Sequence, residues 1–318
     1  MSRYQIHAAT LHTTDLNGGS AVNIGGHTSM ELSTGTETMS DESGSIYNEV
    51  RSLVSQLPEA TLTTKSLATW LTYIGLAGYC ISSDGSHPGL RLFAQVLNDC
   101  KSPPAANTNL RYTIGRGLVI LGQLQASKGQ DATLSLKVHA ISDGTNAPFS
   151  VTYTSVTLPT SLLSQQFTLG VCRVGNILLT DLQSLTLDFG VECSKKEPEC
   201  GTIWPESIAV RKIEPVATFT GFNPTILDAA SIPLGGKQAT HAQTIIQLKK
   251  RQNYASFVPD GTSEHIRLTM NGLATITQAF SGSGNGELTN VCRVEGVHDG
   301  TNVPILATIG STYSNTPS

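Results

Sequence analysis

Charge is the scarcest commodity in this sequence. Lys, Arg, Asp and Glu make up 14% of its 318 residues, against about 25% in an average soluble protein. Ser, Thr, Gly and Asn fill the deficit, which argues against both a membrane-embedded and a disordered chain. Residues 1–160 carry 9 Lys and Arg against 11 Asp and Glu, and residues 161–318 carry 11 against 13. Neither half is basic, so neither offers a field that would dock on phosphates. The one cationic run, Lys249-Lys250-Arg251, reads as a solvated edge. Long apolar runs are missing too. The longest, Leu67 to Ile81, is too short and too rich in Thr and Gly to span a bilayer. Met1 to Gln5 shows no apolar leader, so the expectation is cytosolic synthesis without an anchor.

Chemistry-bearing motifs are equally scarce. There is no Gly-x-Ser-x-Gly elbow, no Walker loop and no His-Glu-x-x-His. Gly282 to Gly286 has the composition of a phosphate loop, but no helical pattern follows it. His7 and His12 sit five apart on a strand-like segment and so point to opposite faces. Six cysteines at irregular spacing in a long chain imply no disulfide framework. Cys193 and Cys200 flank an acidic segment. They can stay free or form a cross-hairpin disulfide after release from the cell, and a zinc site would need further ligands close by. The expectation is no catalytic residue, no cofactor and no metal.

What the sequence has is repetition. Asp143-Gly144-Thr145-Asn146-Ala147-Pro148 returns as Asp299-Gly300-Thr301-Asn302-Val303-Pro304. Gly44 to Glu49 lies on Gly201 to Glu206, and Pro58-Glu59-Ala60-Thr61-Leu62-Thr63 on Pro215-Val216-Ala217-Thr218-Phe219-Thr220, both at an offset of 157. At that offset Met30 and Leu32 fall on Leu187 and Phe189. Gly117-Leu118 matches Gly272-Leu273. Alternating stretches such as Thr133 to Ile141 read as strands. Leu67, Trp70, Leu71 and Ile74 form a helical stripe, capped at Thr64 or Ser66 and ended by Gly75 and Gly78. Asn223-Pro224 is its expected second-half counterpart. Asp143-Gly144 reads as a hairpin turn between Thr133–Ile141 and Phe149–Leu158. The expected fold is mainly β. It consists of two tandem homologous β-sandwich or half-barrel domains, 1–160 and 161–318, each with a long hairpin (27–57 and 184–214) and one short helix.

Long acidic-tipped hairpin, Pro-x-Ala-Thr-x-Thr strand and capped helix, repeated in order, resemble the tail tube proteins of long-tailed, siphovirus-type bacteriophages. The resemblance implies a structural virion protein, assembled in the host cytoplasm into stacked rings around a lumen through which DNA is delivered. With two such domains per chain, three chains would close a pseudo-sixfold ring. The implied partners are the chain itself, other tail proteins, and DNA that passes without specific binding; membrane insertion is not implied. Asp41, Glu42, Glu197 and Glu199, at the hairpin tips, are the expected contacts between rings. The alternative is another virion module, such as a tail-tip, capsid-decoration or receptor-binding protein built from tandem sandwiches.

Overall fold

The computed structural model describes residues 3–12, 21–41, 50–75, 78–81, 83–84, 87–97, 109–142, 145–154, 166–179, 181–196, 202–222, 242–253, 255–282 and 289–317. The fold is mainly β. Residues of the first half form β1 (Arg3–His12), β2 (Ala21–Gly25), β3 (His27–Ser33), β4 (Thr36–Asp41), β5 (Val50–Gln56), β6 (Glu59–Thr64) and helix α1 (Leu67–Ile74). They continue through β7 (Tyr79–Ile81), β8 (Ser83–Asp84), β9 (His87–Pro88), β10 (Leu90–Leu97), β11 (Asn109–Ile114), β12 (Gly117–Ser127), β13 (Thr133–Ala140) and β14 (Phe149–Thr154). The second half forms β15 (Phe167–Leu169), β16 (Cys172–Val174), β17 (Ile177–Leu179), β18 (Leu182–Asp188), β19 (Val191–Lys196) and β20 (Ser207–Ile213). It ends with β21 (Val216–Gly221), β22 (Ala242–Lys250), β23 (His265–Ser281), β24 (Thr289–Gly296) and β25 (Ile305–Ser311). Among the described residues, no helix is long and apolar enough to cross a membrane.

Alternation decides which way the strands face. Leu134, Leu136 and Val138 of β13 are fully buried, as are Leu62 of β6 and Leu187 of β18, while the Thr and Ser residues between them look outward. Helix α1 buries the four residues of its apolar stripe: Leu67, Trp70, Leu71 and Ile74. Ser66 stands at its N-cap, but its Oγ donates to the Gly25 carbonyl at 2.5 Å rather than capping the helix. Gly75, at φ +60, ends it. The counterpart expected at Asn223-Pro224 lies outside the described residues.

Two layers result. In the first half one layer runs β14-β11-β10-β1-β2 and the other β12-β13-β6-β3, with β7 on part of β12. The second half repeats these pairings. β25, the start of β23, β22, β15 with β16, and β17 take the places of the first layer; the rest of β23, then β24, β21 and β18, take those of the second. Among the described residues the route differs where β23 crosses between layers unbroken, whereas Gly115 and Arg116 divide β11 from β12, and where β15 and β16 are separate strands in the place of the continuous β1.

The registers correspond as well. Leu62 opposes Leu136, and Phe219 opposes Cys292; Ile114 opposes Phe149, and Met270 opposes Ile305. Bulges fall at matching places: between His27 and Ser29 and between Leu182 and Ser184, then between Glu37 and Thr38 and between Glu192 and Cys193. Gly35 and Gly190, at φ +55 and +58, bend the chain from the sheet into the projecting ribbons β4–β5 and β19–β20. A Cβ on either would strike the Leu57 or Glu214 carbonyl oxygen, so both turns demand glycine.

Two sequence readings change. Met30 opposes Leu62, while Leu185 opposes Phe219, so the counterparts of Met30 and Leu32 are Leu185 and Leu187 rather than Leu187 and Phe189. The offset along β3 is therefore 155, two less than along β6. The Asp-Gly segments do not close hairpins either. β14 pairs with β11 and β25 with β23, so the strands on either side of each segment belong to different layers; Asp143 and Gly144 themselves lie outside the described residues. In the second copy the Asp299 carboxylate accepts the amides of Thr301 and Asn302 at 2.9 and 2.6 Å, with Gly300 at φ +91. These bonds hold the Asp299 carboxyl well below its usual range. The side chain builds a crossover loop, where two alternating strands had suggested a tight turn.

Candidate assembly interface

The two halves meet edge to edge. β12 pairs with β18, Gln123 opposing Asp188 and Leu124 opposing Leu187, so the second layers fuse into a single antiparallel sheet. Across eight strands its order is the C-terminal part of β23, then β24-β21-β18-β12-β13-β6-β3. Beyond the edge pairing, ribbon β19–β20 folds back over β12. Leu118 and Ile120 of β12 are 3% exposed. Gln56 donates its amide to the Ile203 carbonyl at 2.7 Å, and Ser142 donates its own to Pro205 at 3.1 Å. The Trp204 indole donates to Gln56 Oε1 at 3.0 Å.

A small polar cluster closes this junction. His139 Nδ1 lies 2.9 Å from Glu59 Oε1, and Lys195 reaches over from β19 to pair with the same carboxylate oxygen. Burial alone would raise the Glu59 carboxyl, but Lys195 and His139 together hold it below its usual value. Burial holds His139 below its own usual value against the pull of Glu59. On the opposite flank Arg251 Nε bonds Asp131 at 2.9 Å and its Nη2 donates to the Gly129 carbonyl at 2.7 Å, while Lys65 also holds Asp131 at 3.0 Å.

The face of the fused sheet turned away from the core is a field of hydroxyls and amides. Ser29, Thr61, Thr63, Ser135, Gln125, Thr186, Thr218 and Thr275 occupy it, alternating with the buried apolar residues. Glu31, Glu59, Asp188 and Glu295 are its acids, and Lys137 and Arg293 its bases, Arg293 lying 3.6 Å from Glu295. Nothing there concentrates positive charge. Among the described residues no group of three His, Cys, Asp or Glu side chains could hold a metal. Cys80, Cys172, Cys193 and Cys292 are free thiols.

Of the expected contact residues, Asp41 ends β4 opposite Val50, with its side chain outside the described part. Glu42, Glu197 and Glu199 lie outside the described residues, as does Cys200. Sequence reasoning missed the two edges. A signal was present: Leu273-Ala-Thr-Ile-Thr-Gln-Ala-Phe-Ser281 holds no charge and no proline, the devices that usually protect an open strand. No protein-family model and no curated protein matches this chain.

Proposed function

We propose that this chain is a ring-building structural protein of the tail-tube type, two copies of one β domain joined in tandem, whose assembled rings stack into a conduit for DNA. The observation that carries the reading is the junction between the halves. One domain already presents to the next an edge, a covering ribbon and a shared sheet, and such a heterologous contact closes into rings or runs on as filaments. Three chains of eight strands, spaced about 4.8 Å apart, would enclose a barrel at least ~37 Å across, wider than a DNA duplex. The hydroxyl-rich, weakly acidic face suits a wall past which a phosphate backbone must slide. A basic wall would hold DNA through counterion release.

Electron microscopy of the concentrated protein tests this. Hollow tubes or threefold rings are expected. A chain that stays monomeric at high concentration, with no tube density in its source particle, overturns the reading in favour of an isolated tandem module.

A further inference from the structure

The eight-stranded sheet ends in two open edges that are the counterparts of the two edges mated inside it. β3 corresponds to β18, and residues 272–281 of β23 correspond to β12. Among the described residues, no strand pairs with β3 on the side away from β6, nor with residues 275–281 on the side away from β24. We infer that a second copy of this chain docks there, its β3 pairing with the end of β23 in the register that β18 keeps on β12. Carried over, Gln123 opposite Asp188 becomes Gln278 opposite Ser33, and the Phe189 amide on the Gly122 carbonyl becomes Thr34 on Thr277. The inference deepens the ring reading and rests on it for a second copy as the partner.

Exposure points the same way. Leu53, Val151 and Tyr153 are 39%, 47% and 66% exposed. Their counterparts in the second half, Val210, Ala307 and Ile309, are half-buried. Ribbon β19–β20, which carries Val210, lies over β12, while β25 lies against α1 of the first half. At the other end Leu273, the counterpart of the buried Leu118, is half-exposed. The surfaces left bare are those the internal junction covers. Even the turn beside the edge matches: Gly35 donates to Ser33 Oγ at 3.2 Å as Gly190 donates to Asp188 Oδ1 at 2.9 Å.

Because the residue pair next to Ser33 and Gln278 is the hydrogen-bonded one, these two oppose each other as a non-hydrogen-bonded pair, Cα atoms about 4.5 Å apart. That spacing accepts a disulfide. Within one chain they stand seven strand spacings apart, roughly 34 Å, so only two chains can join them. Chains bearing Ser33→Cys are mixed with chains bearing Gln278→Cys, oxidised, and mapped by mass spectrometry for the linked peptide. Loss of the monomer band with a 33–278 link is expected, and Glu31→Cys mixed with Gln278→Cys should not link. Leu53→Asp and Tyr153→Ser should abolish assembly at unchanged Tm, whereas Val303→Ser, also exposed, should not. Rings without the 33–278 link overturn the register while the ring reading survives. The link without rings or tubes supports the edge pairing and overturns the tube. Unlinked monomer overturns both.

Discussion

Leu187 and Leu32 occupy corresponding places on β18 and β3, and truncating each measures what a neighbouring strand is worth. Leu187 is 0% exposed because β12 lies alongside, with Leu124 directly opposite. Leu32 is half-exposed. Leu→Ala removes three carbons, about 2.4 kcal/mol of transfer free energy at ~0.8 kcal/mol per group when burial is complete. A residual cavity raises the cost, so L187A should lose about 3–4 kcal/mol. Leu32 keeps part of its surface in water and the site can collapse, so L32A should lose only about 1 kcal/mol. The assay is urea unfolding followed by tryptophan fluorescence, at concentrations low enough to keep the chain monomeric. In assembled protein the remaining burial of Leu32 is at stake, so L32A should also weaken association about five- to tenfold, ~1 kcal/mol. If L32A and L187A cost the same in the monomer, β3 is not an open edge and the reasoning fails.

Gly190→Ala should cost more than about 2 kcal/mol and release ribbon β19–β20 to proteolysis, since its Cβ meets the Glu214 carbonyl. Gly129→Ala, also at positive φ but with nothing within 4 Å, should cost about 1 kcal/mol, by the same unfolding assay. Burial lowers His27, whose ring nitrogens are inaccessible, from 6.5 to about 4. A histidine so lowered adds stability above pH 6.5 that drains away as pH falls towards 4. Stability should therefore drop on the order of 3 kcal/mol across that window, and His27→Leu should flatten the slope. Glu59, also lowered, contributes above the ordinary carboxylate range and is lost only at still lower pH. Arg251→Ala, which removes the bonds to Asp131 and Gly129, should cost about 1–2 kcal/mol and speed amide exchange at 128–132. Arg251→Lys should restore only part, because an ammonium cannot make the same forked contact.

The strands and the helix were legible because their signals are local. Period-two alternation along β13 and the Leu67, Trp70, Leu71, Ile74 stripe each name the buried face without knowing what covers it. Pairing partners were not legible in that way. Asp143-Gly144 between two alternating runs is good hairpin chemistry, yet β14 leaves β13 for β11, because the two layers need a crossover there. A single offset also hid a slip of two residues between β3 and β6, which only the paired registers disclose. The Glu59, His139 and Lys195 cluster was invisible for a related reason. Its members are ordinary residues on three strands, brought together by the junction itself.

That cluster separates the two kinds of junction. The counterpart of Glu59 is Val216, that of His139 is Glu295, and that of Lys195 is Ser40. A junction between chains in the proposed register therefore lacks the ion pair that closes the junction within the chain. An ion pair of this kind adds little net free energy against an apolar replacement. Its larger effect is on specificity, because a half displaced from β12 would leave Glu59 and the shielded His139 without Lys195. The polar cluster thus favours the covalently joined pairing of halves, and the edges at β3 and the end of β23, which lack that ion pair, are left for the partner chain. Moving the cluster tests this division of labour. Val216→Glu with Ser40→Lys should strengthen contacts between chains without stabilising the monomer, whereas Lys195→Ser should destabilise the monomer and leave the outer edges able to pair. Equal effects of both changes on monomer and assembly would refute it.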